Sequence, residues 1–398
     1  GSGNRTYYVS TLSNTLTPGI FSSGQFQSLN YNAIPASMTC NAATGGSCTS
    51  PNYQYQWQQS TDNVSFSNIS GATTLSLPFG AGLTQTTYYR LFITETTSGN
   101  TASSSTGTLY VYPQLMPGGL SPSTQSINYN TNASTLTLSG VSGGVNSYTY
   151  QWQSSPDNSN WADITGATST TYTPSGLTAP NNYYRVVVTS NWVNANSGSA
   201  LVTVYPQLVP GNASASQNIN YNTAPSPLSV TGVSGGSGTY TYQWESSPDN
   251  NSWAIINGAI NPSYSPGNLT ATTYYHVTVV SNGVSLNSGV ATITVYPQLL
   301  VGNLSSPSQV LNYGTLPATL TSTSINGGNG SYSYQWQSSP DNSAWSDISG
   351  ETASAYAPTG TVGTAYYRLV VTSNGVPVNS NSASVLVYPP IQAGSVSP

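Results

Sequence analysis

Short stretches of the chain alternate hydrophobic with polar residues. In the segment YTYQWQ, Tyr150 and Trp152 alternate with glutamines, and this period of two predicts a half-buried β-strand. The segment YYRVVV alternates in the same way, with Tyr184 on one face and Tyr183 and Arg185 on the other. We find no comparable stretch with helical spacing, and glycine and proline interrupt the chain at short intervals. The pattern therefore predicts an all-β protein.

The same pattern recurs four times along the chain. The recurring tryptophans are Trp57, Trp152, Trp244 and Trp336. Their spacing of 92 to 95 residues is too long for a solenoid unit and matches a self-contained domain of roughly 100 residues. The sequence therefore predicts four tandem domains with a leader or the end of a preceding repeat before them and the start of a further repeat after them, at residues 1–16, 17–114, 115–207, 208–299, 300–391 and 392–398.

Three related segments, YPQLMPGG, YPQLVPGN and YPQLLVGN, connect the predicted domains. Each segment is short and contains a proline, at Pro113, Pro206 and Pro297. Proline fixes the backbone angle φ, and few residues separate the domains. We therefore expect little bending between neighbours and an elongated rod.

Charged residues are scarce, since the chain has four arginines, no lysine and nine acidic residues, for a formal net charge of −5. Without a basic patch there is no electrostatic footprint for nucleic acid and no attraction to anionic lipid. No apolar run approaches the ~20 residues that a membrane-spanning helix needs. Aromatic residues make up 11% of the chain and recur in fixed register, so they can build cores. We expect a folded protein that binds no nucleic acid and does not insert into a membrane.

Each repeat places an acidic residue five positions after its tryptophan, within SPDN or STDN. These residues are Asp62, Asp157, Asp249 and Asp341. Proline and aspartate at these positions favour a type I turn between two strands. A calcium ion needs about six or more oxygen ligands, and nine acids across four domains are too few. The motif therefore predicts a turn, and we expect no metal and no cofactor.

Catalytic groups are equally scarce, because the chain has one histidine, two cysteines and no lysine. General acid–base catalysis needs two ionisable groups with opposed environments in one pocket, and no such pair stands out. We therefore expect no enzymatic activity.

A tryptophan on an early strand and a tyrosine opening a late strand, repeated about every 92 residues, resemble immunoglobulin-like sandwiches. The wording YQWQSSPDNSNWADITGATSTTYTP…YYRVVVTSN is similar to repeats of giant surface adhesins of Bacteroidota, including those linked to gliding. The resemblance implies four tandem immunoglobulin-like β-sandwich domains on the bacterial cell surface, with YQW as strand C and YYR as strand F. It makes tyrosine-corner candidates of Tyr89, Tyr184, Tyr275 and Tyr367.

The disulfide of immunoglobulin domains is missing from all four repeats. Where a cysteine would follow the corner tyrosine by two positions, the chain has Leu91, Val186, Val277 and Leu369. The cores must therefore hold by packing alone.

Both cysteines, Cys40 and Cys48, fall in the first repeat, in a region between strands B and C that is longer than in the other copies. In an exported protein this spacing predicts a local disulfide. The bridge would either staple the loop or hold a binding loop in place.

The third repeat differs from the others at two positions together. It has Glu245 and His276 where the second repeat has Gln153 and Arg185. Strands C and F are neighbours in an immunoglobulin-like sheet, so we interpret these residues as a cross-strand Glu–His pair. The alternative is unlinked drift on a solvated face, since exposed pairs contribute only ~0–1 kcal/mol.

The second repeat reads SNWV where the third and fourth read SNGV. Asn-Gly is a strong hairpin signal, because glycine readily adopts positive φ, whereas Trp192 adopts it at a cost of ~1–2 kcal/mol. One interpretation is a different turn, with Trp192 folded onto a neighbouring domain. The other is an exposed aromatic platform at the tip of the hairpin.

Three functions fit these observations. The first is a structural stalk within an extracellular filamentous bacterial surface adhesin that serves attachment or gliding, and the repetition favours it. The second is direct binding of an extracellular polysaccharide or solid surface by many weak contacts. The third is self-association with neighbouring copies in a fibre. The candidate ligand contacts are Trp192, Tyr183, Arg185 and Gln151.

Overall fold

A computed structural model describes residues 15–47, 50–392 and 394 of the chain. Every secondary-structure element in this part of the chain is a β-strand, and the strands form four successive groups, repeats 1 to 4. The chain divides into two compact units between Tyr205 and Pro206. The first unit holds repeats 1 and 2, and the second holds repeats 3 and 4.

Repeats 1 and 2 each contain nine strands in the same order. Repeat 1 contains β1 (Phe21–Ser23), β2 (Phe26–Leu29), β3 (Met38–Cys40), β4 (Tyr53–Ser60), β5 (Ser67–Asn68), β6 (Ser76–Leu77), β7 (Thr87–Glu95), β8 (Thr101–Ser103) and β9 (Gly107–Val111). Repeat 2 contains β10 (Gly119–Ser121), β11 (Thr124–Ile127), β12 (Leu136–Ser139), β13 (Thr149–Ser155), β14 (Ala162–Asp163), β15 (Thr171–Tyr172), β16 (Asn181–Ser190), β17 (Val193–Asn196) and β18 (Ala200–Val204).

The second unit repeats this order with one extra strand. Repeat 3 contains β19 (Asn212–Ala213), β20 (Gln217–Ile219), β21 (Leu228–Thr231), β22 (Thr241–Ser247), β23 (Ala254–Ile255), β24 (Ser263–Tyr264), β25 (Thr273–Ser281), β26 (Val284–Asn287) and β27 (Ala291–Val295). Repeat 4 contains β28 (Leu300–Val301), β29 (Ser308–Leu311), β30 (Leu320–Thr321), β31 (Ile325–Asn326), β32 (Ser333–Ser339), β33 (Ser346–Asp347), β34 (Ala355–Tyr356), β35 (Gly363–Ser373), β36 (Val376–Asn379) and β37 (Ala383–Val387).

Each repeat is built from two sheets. In repeat 1 the smaller sheet has the order β1-β3-β6, and the larger has the order β2-β9-β7-β4-β5 with β8 also paired to β7. Strand β2 runs parallel to β9, and the other pairs are antiparallel. This is the A-B-E and A′-G-F-C-C′ arrangement of an immunoglobulin-like sandwich, with β4, β13, β22 and β32 as strand C and β7, β16, β25 and β35 as strand F.

The same topology holds in all four repeats, except that the smaller sheet of repeat 4 divides into β28-β31 and β30-β34. The prediction of an all-β protein with four tandem immunoglobulin-like sandwiches is therefore confirmed.

The strand C tryptophan lies at the centre of each core. All four are completely buried, as the alternation predicts. In repeat 2 the indole Nε1 of Trp152 donates to the carbonyl of Ser169 at 2.8 Å, so its polar atom is satisfied. Tyr172 packs between Trp152 and Tyr184, with ring centroids 5.5 and 5.7 Å away. Repeats 3 and 4 contain equivalent aromatic triads, formed by Trp244, Tyr264 and Tyr275 and by Trp336, Tyr356 and Tyr367.

Aliphatic residues fill the place of the missing disulfide. The four strand F positions where a cysteine would stand are fully buried; they are Leu91, Val186, Val277 and Leu369. The tyrosines predicted as corner residues are also in the cores, and burial raises the pKa of Tyr184 and of Tyr275 to about 12. Each large aromatic ring removes ~150–250 Å² from water, worth roughly 4–6 kcal/mol at ~25 cal/mol per Å². Packing of this kind holds the sandwich without a cross-link.

Cys40 lies on β3 and points into the core of repeat 1. Burial raises the pKa of its thiol to about 11. Cys48 lies outside the described residues, so the Cys40–Cys48 disulfide stays a prediction.

The SPDN segments form turns fixed by their aspartates. In repeat 2, Oδ1 of Asp157 accepts hydrogen bonds from the Ser155 hydroxyl at 2.9 Å and from the backbone N–H groups of Ser159 and Asn160 at 2.9 and 2.8 Å. Asn158 follows with φ of 61°, a conformation that asparagine tolerates. Backbone hydrogen bonds hold the pKa of Asp157 well below its usual range, and the other three aspartates shift in the same direction. The carboxylates thus serve the turns.

Two kinds of feature are missing from the part of the chain that the structure describes. Within residues 15–47, 50–392 and 394, no group of three or more His, Cys, Asp or Glu side chains could hold a metal ion. The same residues contain no helix long and apolar enough to cross a membrane.

A buried carboxylate closes the loop between strands F and G of repeat 1. Glu95 ends β7 and is fully buried. Its carboxylate accepts from the backbone N–H of Ser98 at 2.7 Å, of Thr97 at 3.0 Å and of Asn52 at 3.3 Å. Hydrogen bonds from Ser98 and Thr97 outweigh the opposing effect of burial and lower the pKa of Glu95 from 4.5 to about 2.

We expect Glu95→Gln to destabilise repeat 1 at neutral pH, because an amide is a weaker acceptor for these backbone donors. The pKa of Glu95 is lower in the folded than in the unfolded state. The stability it contributes is therefore present above about pH 4.5 and is lost as the pH falls toward about 2. The difference in free energy of unfolding between wild type and variant should shrink over that window. Urea titrations followed by NMR signals of repeat 1 measure it, and a difference independent of pH would contradict the assignment.

Candidate functional site

The linkers between repeats are anchored on both sides within each unit. In the first unit, the backbone N–H of Tyr112 donates to the carbonyl of Leu29 in repeat 1 at 2.9 Å. The carbonyl of the next residue, Pro113, accepts from the N–H of Gly144 in repeat 2 at 2.8 Å. Adjacent residues are therefore held by different repeats. The second unit has the same arrangement, with Tyr296 bonded to Ile219 and Pro297 bonded to Gly328, each at 2.9 Å. We call this region the joint.

The linker leucine belongs to the core of the repeat that follows it. Leu115 is buried among the core residues of repeat 2 and Leu299 among those of repeat 4. Leu208 and Leu16 occupy the same place in repeats 3 and 1. Leu16 and Leu299 thus pack into the repeats that follow them, and the predicted boundaries at residues 17 and 300 stay predictions.

A pair of glycines receives each linker. Gly143 and Gly144 lie between strands B and C of repeat 2 with positive φ. A Cβ on Gly143 would lie 1.9 Å from the carbonyl oxygen of Gln114, and one on Gly144 would lie 2.4 Å from the Ser190 hydroxyl. The linker therefore needs glycine at position 143, and the Ser190 side chain of strand F needs it at position 144. Sequence reasoning missed this role, although the pair recurs at Gly235–Gly236 and Gly327–Gly328, 92 residues apart.

Asparagines join neighbouring repeats at each joint by a reciprocal contact. In the first unit, Nδ2 of Asn30 donates to the backbone carbonyl of Asn191 at 3.0 Å, and Nδ2 of Asn191 donates to Oδ1 of Asn30 at 2.9 Å. In the second unit, Asn220 and Asn374 make the same two bonds, at 3.2 and 2.9 Å. Asn191 and Asn374 are the first residues of the F–G turns. The turn of one repeat is thus fastened to the preceding repeat; the pairs are called the asparagine clamp.

Trp192 stands beside the asparagine clamp of the first unit. Its φ is 67° and that of Asn191 is 47°, which closely matches the turn at Asn374 and Gly375. The side chain of Trp192 is 94% exposed. The interpretation of a different turn, with Trp192 folded onto a neighbouring domain, is therefore wrong. The hairpin keeps its geometry because strands F and G pair up to the turn, and the indole is left in solvent at the tip.

The other predicted ligand contacts of repeat 2 have partners inside the sheet. Nε2 of Gln151 donates to the carbonyls of Trp152 and Ile164, both at 2.8 Å. Nε of Arg185 donates to Oε1 of Gln153 at 2.7 Å, and the guanidinium lies 4.4 Å from the ring centroid of Trp161. These side chains therefore stabilise the sheet.

Tyr183 is half-buried and pairs with Ser155 near the start of strand F. At ~3.3 Å per residue, the nine residues from Tyr183 to Trp192 span about 30 Å of extended chain. The structure does not bring the four predicted contacts together, and Trp192 alone projects into solvent.

Glu245 and His276 face each other across strands C and F of repeat 3. His276 Nε2 lies 3.0 Å from Glu245 Oε2. The imidazole also stacks on Trp253, with ring centroids 3.8 Å apart and an interplanar angle of 21°. In the other repeats an arginine takes this place, bonded to glutamine and lying over Phe66, Trp161 or Trp345. Because Trp253 covers it, His276 is only 4% exposed, whereas the sequence pattern placed it on a solvated face.

A scan against protein-family models matches four successive copies of the domain described as a domain of unknown function (DUF8696), at residues 17–113, 117–206, 209–297 and 301–389. The chain belongs to the DUF8696 family. Curated proteins give no match to this DUF8696 chain.

Solved structures similar to the DUF8696 chain are tandem-domain proteins. They include the N-terminal four Ig domains of Dscam1 isoform 6.9 (11% identity, 94% of this chain and 100% of that chain, TM-score 0.26). Sidekick-1 immunoglobulin domains 1–4 match at 12% identity over 94% of this chain and 97% of that chain, with a TM-score of 0.28. Three N-terminal domains of the bacteriophage RB49 outer capsid protein Hoc match at 14% identity over 71% of this chain and 99% of that chain, with a TM-score of 0.33. At such scores the likeness carries no information about function.

Gly143→Ala should weaken the joint of the first unit. Its matched control is Gly166→Ala, because the two glycines have φ of 77° and 76° but a Cβ on Gly166 meets nothing within 4 Å. Both variants should lose ~1–2 kcal/mol from left-handed strain, and Gly143→Ala should lose a further ~1–3 kcal/mol from the clash with the linker. Hydrogen exchange of repeat 2 and of residues 112–116 measures the loss. Equal effects of the two variants would show that the linker does not press on Gly143.

A double-mutant cycle should detect the Glu245–His276 contact. We expect Glu245→Ala and His276→Ala together to cost ~0.5–1.5 kcal/mol less than the sum of the single changes, because each single change removes the same hydrogen bond. Unfolding of repeat 3 by urea, followed by its NMR signals, gives the four free energies. Additive effects on the free energy of unfolding would show that the two side chains do not stabilise each other.

Proposed function

We propose that this chain is a stalk segment of an extracellular, filamentous bacterial surface adhesin, in which repeats hold an adhesive region away from the cell for attachment or gliding. Tandem immunoglobulin-like repeats are typical of adhesion proteins and extracellular stalks. The resemblance of the repeats to Bacteroidota surface adhesins supports the bacterial cell surface as the location.

The observation that carries this proposal is the joint. A stalk must transmit position and load from one repeat to the next, and a flexible linker would not. In each unit, one linker residue is hydrogen-bonded to the preceding repeat and the next residue to the following repeat. The linker leucine is buried in the following repeat, and the asparagine clamp provides a second contact between the two repeats. Two separate contacts restrict bending better than one tether.

The surface chemistry also suits a stalk. Only 3% of the residues are charged, and the exposed positions are mainly serine, threonine, asparagine and glycine. Such a surface is hydrophilic and offers little electrostatic attraction to other macromolecules. The linker proline, the linker leucine and the glycine pair recur in the sequence of repeats 2 to 4, which fits a role that every copy performs alike.

The stalk function predicts that the asparagine clamps restrict motion between repeats. We expect the combined variant Asn30→Ala, Asn220→Ala to bend more at the joints than wild type, because each substitution removes both reciprocal hydrogen bonds. Small-angle X-ray scattering of the full chain should show a broader distribution of interatomic distances. Asn251→Ala is the control, since this asparagine is exposed and takes no part in either asparagine clamp. If the clamp variant and the control scatter identically to wild type, the clamp does not stiffen the chain.

Trp192 favours a second candidate function, direct contact with a polysaccharide or solid surface. A 94% exposed indole held at positive φ is costly, and repeats 3 and 4 avoid the cost with glycine.

We expect retention of the full chain on cellulose and on glass to fall when Trp192 is replaced by glycine, which the same turn accepts in two other repeats. Tyr183→Ala and Arg185→Ala test the remaining predicted contacts and should leave retention unchanged. Equal retention of Trp192→Gly and wild type would remove this candidate and leave the stalk proposal intact.

A further inference from the structure

Repeat 1 has a groove on the outer face of its larger sheet. The groove has a volume of about 590 Å³, which is in the usual range of ~300–1,000 Å³ for small-molecule sites. Its lining includes Gln54, Gln56, Asn68, Thr73, Phe92 and Thr94. These residues come from strands C and F, from the short strand β5 and from the loop after it.

Strand register places an aromatic ring between hydrogen-bonding groups. Phe92 on β7 lies directly opposite Gln56 on β4, and Thr94 lies opposite Gln54. Phe92 is half-buried, so part of its side chain remains accessible. An apolar platform flanked by amides and hydroxyls can present stacking and hydrogen bonds to the same ligand.

The groove is electrically neutral. No acidic residue lines it, and the guanidinium of Arg90, on the same strand as Phe92, already has partners within the sheet. Nε of Arg90 donates to Oε1 of Gln58 at 2.8 Å, and its guanidinium lies 4.1 Å from the ring centroid of Phe66. A charged ligand would lose its hydration without gaining an opposite charge, which is unfavourable. The groove therefore fits an uncharged, hydroxyl-rich ligand.

Repeat 1 differs from the other repeats at these positions. The residue opposite the equivalent glutamine is Val187, Thr278 or Val370 in repeats 2, 3 and 4, where repeat 1 has Phe92. The position of Gln54 is held by Thr149, Thr241 and Ser333. A feature confined to one repeat is not needed to build the sandwich, since three copies fold without it.

Two more aromatic residues extend the accessible face of the same sheet. Phe26 on β2 is 72% exposed and Tyr110 on β9 is 46% exposed. Repeat 2 has threonines in their places, Thr124 and Thr203, by the equivalent pairing of β11 with β18. Both residues lie on the same outer face as the groove but toward the start of strand F, because β9 pairs with Thr87–Tyr89 whereas Phe92 pairs with β8.

We propose that repeat 1 binds a neutral oligosaccharide or polysaccharide chain in this groove. A sugar ring stacks on Phe92, and its hydroxyl groups bond to Gln54 and Thr94. Gln56 supports the groove instead, since its Nε2 donates to the carbonyls of Trp57 and Ile69 at 2.9 and 2.7 Å. Phe26 and Tyr110 contact sugars farther along a longer chain. This activity goes beyond the stalk function, which does not require any repeat to bind a ligand.

The test is titration of the full chain with neutral gluco-, manno- and galacto-oligosaccharides of three to six sugars, followed by calorimetry and by NMR shifts of strands C and F. We expect binding to at least one of these probes, with shifts centred on Gln56 and Phe92. Phe92→Val should weaken it about tenfold, because the stacking platform is lost. Valine already occupies this position in repeats 2 and 4, so the variant should keep its fold. Gln54→Thr introduces the residue that repeats 2 and 3 carry at this position, and it should weaken binding through lost hydrogen bonds.

Asn251→Ala, in an exposed turn of repeat 3, should bind these oligosaccharides as wild type does, and the location of the NMR shifts separates the groove from the exposed indole of repeat 2. No binding of any neutral probe, or equal affinity of Phe92→Val and wild type, would overturn the proposal. Preference for an anionic probe such as a uronic-acid oligomer would also overturn it. A dimer that Phe92→Val dissociates would overturn it too, and would make this face a contact between copies of the chain. None of these results bears on the joints, so the stalk proposal stands or falls separately.

Discussion

The hydrogen bond between the linker proline's carbonyl and the second glycine of each glycine pair is the constraint on which the joints depend. It fixes the linker proline to the following repeat, directly after the tyrosine that is hydrogen-bonded to the preceding repeat. The linker can then pass over the first glycine of the pair only because that residue has no side chain. This path carries Leu115 or Leu299 into the next core, and it brings the F–G turn within reach of the asparagine on the preceding repeat.

The repeats achieve their stability with almost no charge and without the immunoglobulin disulfide. Aromatic and aliphatic packing provides it: tryptophan and tyrosine rings pack in the interior with the strand F aliphatic residues, and an arginine or histidine lies on a second aromatic residue on the outer sheet. The pair in repeat 3 shows how tolerant this arrangement is. His276 preserves the stack and the cross-strand hydrogen bond of the arginines while Glu245 preserves the acceptor of the glutamines.

Much of the fold was predictable from the sequence because it depends on local periodicity. Alternation around Trp152 identified strand C, and the spacing of the copies gave the number of domains. The pairing of Glu245 with His276 followed from the adjacency of strands C and F. Contacts between segments distant in sequence were not predictable. The role of Gly143 depends on the linker passing 1.9 Å from its missing Cβ, and the burial of His276 depends on Trp253 reaching over from the strand edge. Gln151 looked available for a ligand because its bonds to backbone carbonyls leave no periodic signal.

Joints of this kind should make the two repeats within a unit move as one body. Residual dipolar couplings, measured by NMR on the full chain in a dilute aligning medium, test it most directly, because each repeat reports its own alignment. We expect repeats 1 and 2 to share one alignment tensor in magnitude and orientation, and repeats 3 and 4 also to share one. Different magnitudes for two repeats of the same unit would show independent motion at the joint and would rule out a rigid pair.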